Sequence, residues 1–254
     1  GEGANKKYGS YFHTWNRYNQ FASRSVRLDN PIFNLEDGSP AFDQPYWADW
    51  LEYRYNLEQV DGASTPFEDV KAMNMNYRNE FFNGNVAMLP TGTWMLTELE
   101  DQENFPHDFT TAVVPMPTWS DGGVPGRTFT ESHHYTILRT SQHPEAAFDF
   151  LRWYTTEGMR VRNVAISLEK DLNRYEAIAD ILGDPQYINM EVLEQTLNNP
   201  AWEDNVETYV PSYSNEVNNI ALEEIDLYLL GTQDLETAIN NMMERTQTVI
   251  DENQ

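Results

Sequence analysis

The stretch from 81 to 100 constrains this chain most: FFNGNVAML closes on a short apolar run of strand length, PTGT interrupts it, and Trp94 to Glu100 reads as a helix. A strand that enters a helix through a tight turn is a building block of α/β folds, in which helices cover the faces of a sheet. The rest of the chain supplies partners for such a unit. Tyr46, Trp47, Trp50, Leu51 and Leu57 recur at near-helical spacing, which predicts an amphipathic helix over 44–58 with Asp43 available to cap it. Asp37-Gly38, within NLEDGS, marks a tight turn before it. The opening YGSYFHTW, the run AVVPMP at 112–117 and Tyr135 to Leu138 are expected to be strands.

A helix is predicted from Ser141 or His143, with Pro144 tolerated in its first turn and Ala147, Phe150, Leu151 and Tyr154 on one stripe. Two further helices are expected over 216–230 and 235–250, separated by Gly231 as a C-terminal cap; Leu235, Ala238, Ile239, Met242, Thr246 and Val249 share a face of the second. Positions 166–215 read as polar, Asn-rich and broken. SDGGVPG at 120–126 is the strongest linker signal, and a segment boundary belongs there.

Composition narrows the function. The 254 residues are 40% apolar, enough to bury a core, and they carry a net charge of −25. Such a surface is repelled by phosphate backbones and anionic lipid, which argues against a nucleic-acid partner. With no Cys, thiolate metal sites and Cys nucleophiles are excluded. HExxH, GxSxG and the phosphate-cradling GxxxxGK[ST] are all absent, so no cofactor is implied. His133-His134 is a poor metal pair, because neighbours on a strand point to opposite faces.

Aromatic side chains carry the functional reading. Flat apolar rings beside fixed polar groups are what line a small-molecule site. Trp94 stands just past the glycine-containing turn at a strand end, where α/β sheets form ligand crevices; it lines a site there or seals the helix against the sheet. Tyr11, His13 and Trp15 alternate along the opening segment and so share one side, with Phe12 and Thr14 on the other. They line a cleft or pack a sheet.

In their order along the chain, YGSYFHTW, DGSPAFD, FFNGNVAMLPTGTW, AVVPMPTWSDGG, YTILRTSQHPEAAFDFLRWYTTEGM and LLGTQDLETAINNM resemble the extracellular solute-binding proteins that deliver sugars and oligosaccharides to ABC importers. The resemblance implies a periplasmic-binding-protein-like (type II) α/β fold: a lobe with a mixed sheet flanked by helices, part of a second lobe, and solute held between lobes. It implies that residues 1–124 are the first part of lobe two, 127–165 a segment returning to lobe one, and 166–254 a helical tail rejoining lobe two. Most of an N-terminal lobe is expected to be missing, so a homodimer or a retained fragment would cover the apolar face of 127–165.

By the same resemblance Trp94 matches a sugar-stacking Trp. Glu131, Ser132 and His133 fall where the chain crosses between lobes. Trp202, Tyr209 and Tyr213, around Pro200 and Pro211, fall in a region that supplies cleft aromatics. The implied function is binding of a sugar or oligosaccharide and its delivery to the importer's membrane subunits, without catalysis. The whole protein is implied to be extracellular and lipid-anchored outside a bacterial membrane. The rival readings are a carbohydrate-active hydrolase, which needs two carboxyls about 5 to 9 Å apart, and an acidic cell-surface interaction domain without a small ligand.

Overall fold

The computed structural model describes residues 6–15, 19, 32–117, 123–124, 128–130, 135–162, 173–204 and 209–253, with the side chains of 128–130, 160, 162 and 202–204 left aside. The chain divides into two compact units. The first comprises 1–90, 116–129 and 203–254, and the second 91–115 and 130–202.

The first unit is organised around a parallel strand pair. β1 (Tyr8–Ser10) runs beside β2 (Val86–Met88) with Tyr8 opposite Val86 and Ser10 opposite Met88. On its other edge β1 is bonded to the 63–65 segment, where the Gly9 N–H donates to the Ala63 carbonyl and the Thr65 N–H to that of Ser10. Helices fill the crossover between the strands, as a parallel connection requires. α1 (Pro45–Tyr55) continues into a π-helical turn (Asn56–Val60), and α2 (Phe67–Ala72) and α3 (Tyr77–Phe82) follow. The unit closes with two long antiparallel-order helices in sequence, α9 (Ser214–Leu229) and α10 (Leu235–Glu252). Gly231, at φ +70°, turns the chain between them, and the Asp234 carboxylate accepts the Thr237 N–H to cap α10.

One apolar core joins these parts: Trp47, Trp50 and Leu51 of α1, Ile225 and Leu229 of α9, and Ala238, Met242 and Val249 of α10, with Phe12, Phe33 and Phe42 from the loops. A charged pair lies inside it. Arg54 donates from Nε to Glu58 at 2.7 Å and also to Asn19 and the His13 carbonyl, while the second Glu58 oxygen accepts the Phe67 N–H. The guanidinium sits between the Phe12 and Phe67 rings. Burial raises the Glu58 pKa, and the Arg54 charge opposes that rise.

The second unit holds α4 (Met95–Glu100), α5 (Pro144–Trp153) with a π-helical extension (Tyr154–Gly158), α6 (Met159–Arg162), α7 (Arg174–Leu182) and α8 (Met190–Leu197). Leu96 and Leu99 of α4, Ile178 of α7 and Leu193 and Leu197 of α8 are buried. The Glu100 carboxylate accepts the N–H groups of Gln186 and Tyr187, which pins the loop before α8. β3 (Thr128–Thr130) and β4 (Trp202–Asp204) pair as a two-stranded sheet.

Several expectations need correction. Residues 112–117 and 135–138 are not strands; Thr111 makes only an isolated bridge to Ile188. Prolines at 115 and 117 lack the N–H a ladder needs. Strand β1 stops at Ser10, so 11–15 is irregular. Asp43 does not cap α1: the N-cap is Gln44 and Pro45 opens the helix. In FFNGNVAML the apolar run does form a strand, β2, while the phenylalanines before it end α3. Helices α7 and α8, capped by the Asn173 and Asn189 side chains, occupy part of the stretch expected to be broken. The asparagines that looked like breakers are the caps. Among the described residues no helix is long and apolar enough to cross a membrane.

Candidate functional site

In the second unit the turn after β2 sets Trp94. The Met95 N–H donates to the Gly92 carbonyl and the Leu96 N–H to that of Thr93, so the chain coils at once into α4 with Trp94 at its N-cap. Met95, Leu96 and Leu99 anchor that helix in the interior. Trp94 itself is half-buried. Its six-membered ring lies on Gly92: a methyl group added there would come within 2.7 Å of Cζ3, Cε3 and Cη2. The indole is thus fixed against backbone rather than sealed in the core.

In the first unit the alternation of Tyr11, His13 and Trp15 holds as a shared side. His13 stacks on Trp15 at 4.3 Å and 18° and meets Tyr11 edge-on at 5.9 Å, while Phe12 turns away to Trp50. Tyr77 of α3 completes the group, edge-on to both His13 and Trp15, with the Arg78 guanidinium over its ring at 4.6 Å. The sequence singled out neither Tyr77 nor Arg78; no local pattern marks a residue that reaches the cluster from a separate helix.

Depth separates the three sequence candidates. Tyr11 and His13 are enclosed, whereas Trp15 is 45% exposed. The Tyr11 hydroxyl donates to the Met75 carbonyl, and burial together with the Glu80 charge pushes its pKa up to about 12. His13 is pushed down to about 4 by burial and the Arg54 charge, with Arg78 adding to it, against a bond to the Pro90 carbonyl. It is neutral at physiological pH, so it offers Trp15 an uncharged aromatic partner.

Tyr209 and Tyr213 form a third group, their hydroxyls 3.3 Å apart and both rings edge-on to Phe33. The bond to Tyr209 is the main cause that raises the Tyr213 pKa to about 12. Both rings pack against the core of the first unit and stay half-buried. Of the other candidates, Glu131, Ser132 and His133 lie outside the described residues, and Trp202 is described only as backbone in β4.

Two alternatives fare poorly. A groove of about 360 Å³ between α9 and α10 is bordered by Glu216, Glu223, Arg245 and Glu252. It has no aromatic lining, and its one cation is committed to Glu223 and Glu224. Among the described residues no group of three or more His, Asp or Glu side chains is arranged to hold a metal ion.

Parallel strands joined through helices define an α/β architecture. The chain belongs to the bacterial extracellular solute-binding protein family, whose model matches residues 5–161. Its fold is that of periplasmic-binding-protein-like sugar binders. It is similar to a sugar transporter from Rhizobium etli in an open conformation, with 22% identity and a TM-score of 0.67 over 96% of this chain and 60% of that one. An ABC substrate-binding protein from Listeria monocytogenes in complex with cycloalternan aligns with 16% identity and a TM-score of 0.72, covering 99% of this chain and 61% of that one. A maltose/maltodextrin-binding domain from Bdellovibrio bacteriovorus bound to maltotriose gives 15% and 0.64 over 97% and 61%. The chain therefore spans about three fifths of these neighbours' length. At such identities the likeness establishes the fold alone. No curated protein matches the chain in sequence.

Proposed function

We propose that this chain is the major part of a carbohydrate receptor, one that holds a sugar or oligosaccharide outside the cell and delivers it to the membrane subunits of an ABC importer without chemically changing it. The observation that carries the reading is the half-buried Trp94 indole, laid on Gly92 at the strand-to-helix turn of a solute-binding fold. A ring fixed in that way presents an apolar surface at little entropic cost on binding. The exposed Trp15, stacked on neutral His13, is the second platform. Tyr209 and Tyr213 supply hydroxyls already tied to each other, and Glu131, Ser132, His133 and Trp202 complete the set on the strength of their sequence positions.

The division into part of one lobe and most of another, with solute held where two lobes close, belongs to the same proposal, as does lipid anchoring of the whole protein. The three-fifths coverage of its neighbours supports the division into lobes alone. Closure over a bound ligand removes its second face from water and strengthens its hydrogen bonds.

Fluorescence titration of the chain with maltotriose and with cycloalternan tests the reading, with chromatography of the mixture to detect cleavage. We expect saturable, weak binding without product, and about tenfold or greater loss on Trp94→Ala, as when a stacking contact of 1.4 kcal/mol or more is removed. Hydrolysed sugar would instead support the hydrolase, and unchanged affinity in Trp94→Ala would remove the platform from the argument.

A further inference from the structure

Glycines serve two different physical ends in this chain. At Gly38, Gly62, Gly84, Gly183 and Gly231 the backbone turns to positive φ, where any other residue is strained. Gly92 is not one of these, so its backbone would accept an alanine. What it cannot accept is the volume. A Cβ would fall within 2.7 Å of three carbons of the Trp94 six-membered ring, closer than carbon atoms can approach, and an indole has no flexible end to bend away. Gly183 shows the contrast: a Cβ there meets no atom within 4 Å, and only the positive φ holds the position.

We infer that Gly92 is a positioning residue: its missing side chain is the seat on which the Trp94 indole lies, and it sets where that ring stands for a pyranose. The functional half of this inference rests on Trp94 being the sugar platform; the structural half does not. Two residues before Gly92 the turn leaves β2 through Pro90, and three and four residues after it Met95 and Leu96 lock α4 into the interior. The Trp94 backbone is therefore held from both sides, and a methyl at 92 is relieved mainly by rotating the side chain. A rotated indole keeps its chemistry and loses its place, and placement errors of about 1 Å suffice to spoil a preorganised site.

A double-mutant cycle on Gly92→Ala and Trp94→Ala decides the matter, read first by thermal unfolding. We expect Gly92→Ala to lower Tm by roughly 2–8 °C in the native background, the scale of an overpacking penalty in a chain of this size, and by less than about 1 °C in the Trp94→Ala background, where nothing occupies the seat. Equal losses in both backgrounds would show that Gly92 serves the backbone and would overturn the inference, as would no loss in either.

A second readout separates placement from stability. In protein labelled with 5-fluorotryptophan, the resonance that Trp94→Phe removes is the one expected to move in Gly92→Ala, with the other six of the seven indoles unshifted. A stationary Trp94 resonance refutes the seat. Maltotriose titration then joins the two halves: Gly92→Ala is expected to weaken binding about tenfold, and the Gly92→Ala/Trp94→Phe pair, with its smaller ring, to recover part of that loss. If Trp94→Ala leaves maltotriose affinity untouched, the sugar reading fails and with it the functional half, while the cycle and the fluorine spectrum still decide the seat.

Discussion

Helices α10 and α5 begin from the same kind of sequence and end in opposite environments. Each repeats apolar residues every three or four positions, so each carries a stripe. In α10 most of the stripe is buried: Ala238, Met242, Val249 and Ile250 lie in the core of the first unit, Thr246 is buried, and Leu235 and Ile239 are half-buried against it. In α5 no residue is buried, and Phe148, Phe150 and Trp153 stand about half exposed. Phe150 and Tyr154 stack on one another, 5.8 Å apart, and Tyr135 meets Tyr154 edge-on, so the aromatics satisfy each other locally. A ten-residue helix is marginal alone in water, so these local ring contacts matter to α5. Periodicity determines which residues share a face; a neighbour determines whether that face is dry.

Substitutions can break that comparison at its strongest point first. Arg54→Met removes the partner of a carboxylate that remains inside the core of the first unit, and we expect a loss of about 3–5 kcal/mol in urea unfolding; a cost under 1 kcal/mol would mean that the Glu58 charge is solvated and the core is not dry. Next come matched truncations of the two stripes. Met242→Ala, at a fully buried site, is expected to cost about 2–5 kcal/mol through the cavity it leaves, and Phe150→Ala no more than about 1 kcal/mol. Similar costs for the two would show that α5 is covered in solution, and sedimentation would then reveal whether a second copy covers it.

A pH dependence confined to the first unit sharpens the comparison last. The folded-state pKa of His13 lies near 4, below its ordinary 6.5, so between these values the unfolded chain binds the extra proton. Stability from this group is complete above about pH 6.5 and falls as the pH drops toward 4, by at most about 3 kcal/mol. Arg54 and Arg78 oppose protonation of the ring, and Tyr11 and Tyr77 pack on it. His13→Phe, which keeps a ring for Trp15, should flatten this part of the stability profile relative to wild type; identical profiles would place the histidine in water.

Much of the first unit was legible before any coordinates. The Tyr46, Trp47, Trp50, Leu51 spacing gave α1, and the Gly231 break and the stripe beginning at Leu235 gave α10, because long helices repeat a local rule many times over. The strand-to-helix turn at Trp94, in the second unit, was legible from the Pro-Thr-Gly-Thr break that follows the apolar run. Strand pairings were not: the three-residue β1 depends on a partner 78 positions away, and an apolar run such as AVVPMP looks identical whether or not a neighbour comes to pair with it. The candidate site divided in the same way. Alternation put Tyr11, His13 and Trp15 on one side, but which of them reached solvent depended on α3 arriving with Tyr77.

By itself the sequence determined the amphipathic stripes, the turn chemistry at Asp37-Gly38 and Gly231, the acidic surface and the place of Trp94 at the end of a strand. These follow from properties a residue carries with it: hydropathy, allowed backbone angles and charge. Only the tertiary structure decided that His13 is neutral, that Arg54 and Glu58 pair inside the core, that no residue of α5 is buried and that Gly92 is needed for space rather than for φ. Each of those depends on the distance to atoms far away in the chain, and distance sets dielectric, packing and exclusion.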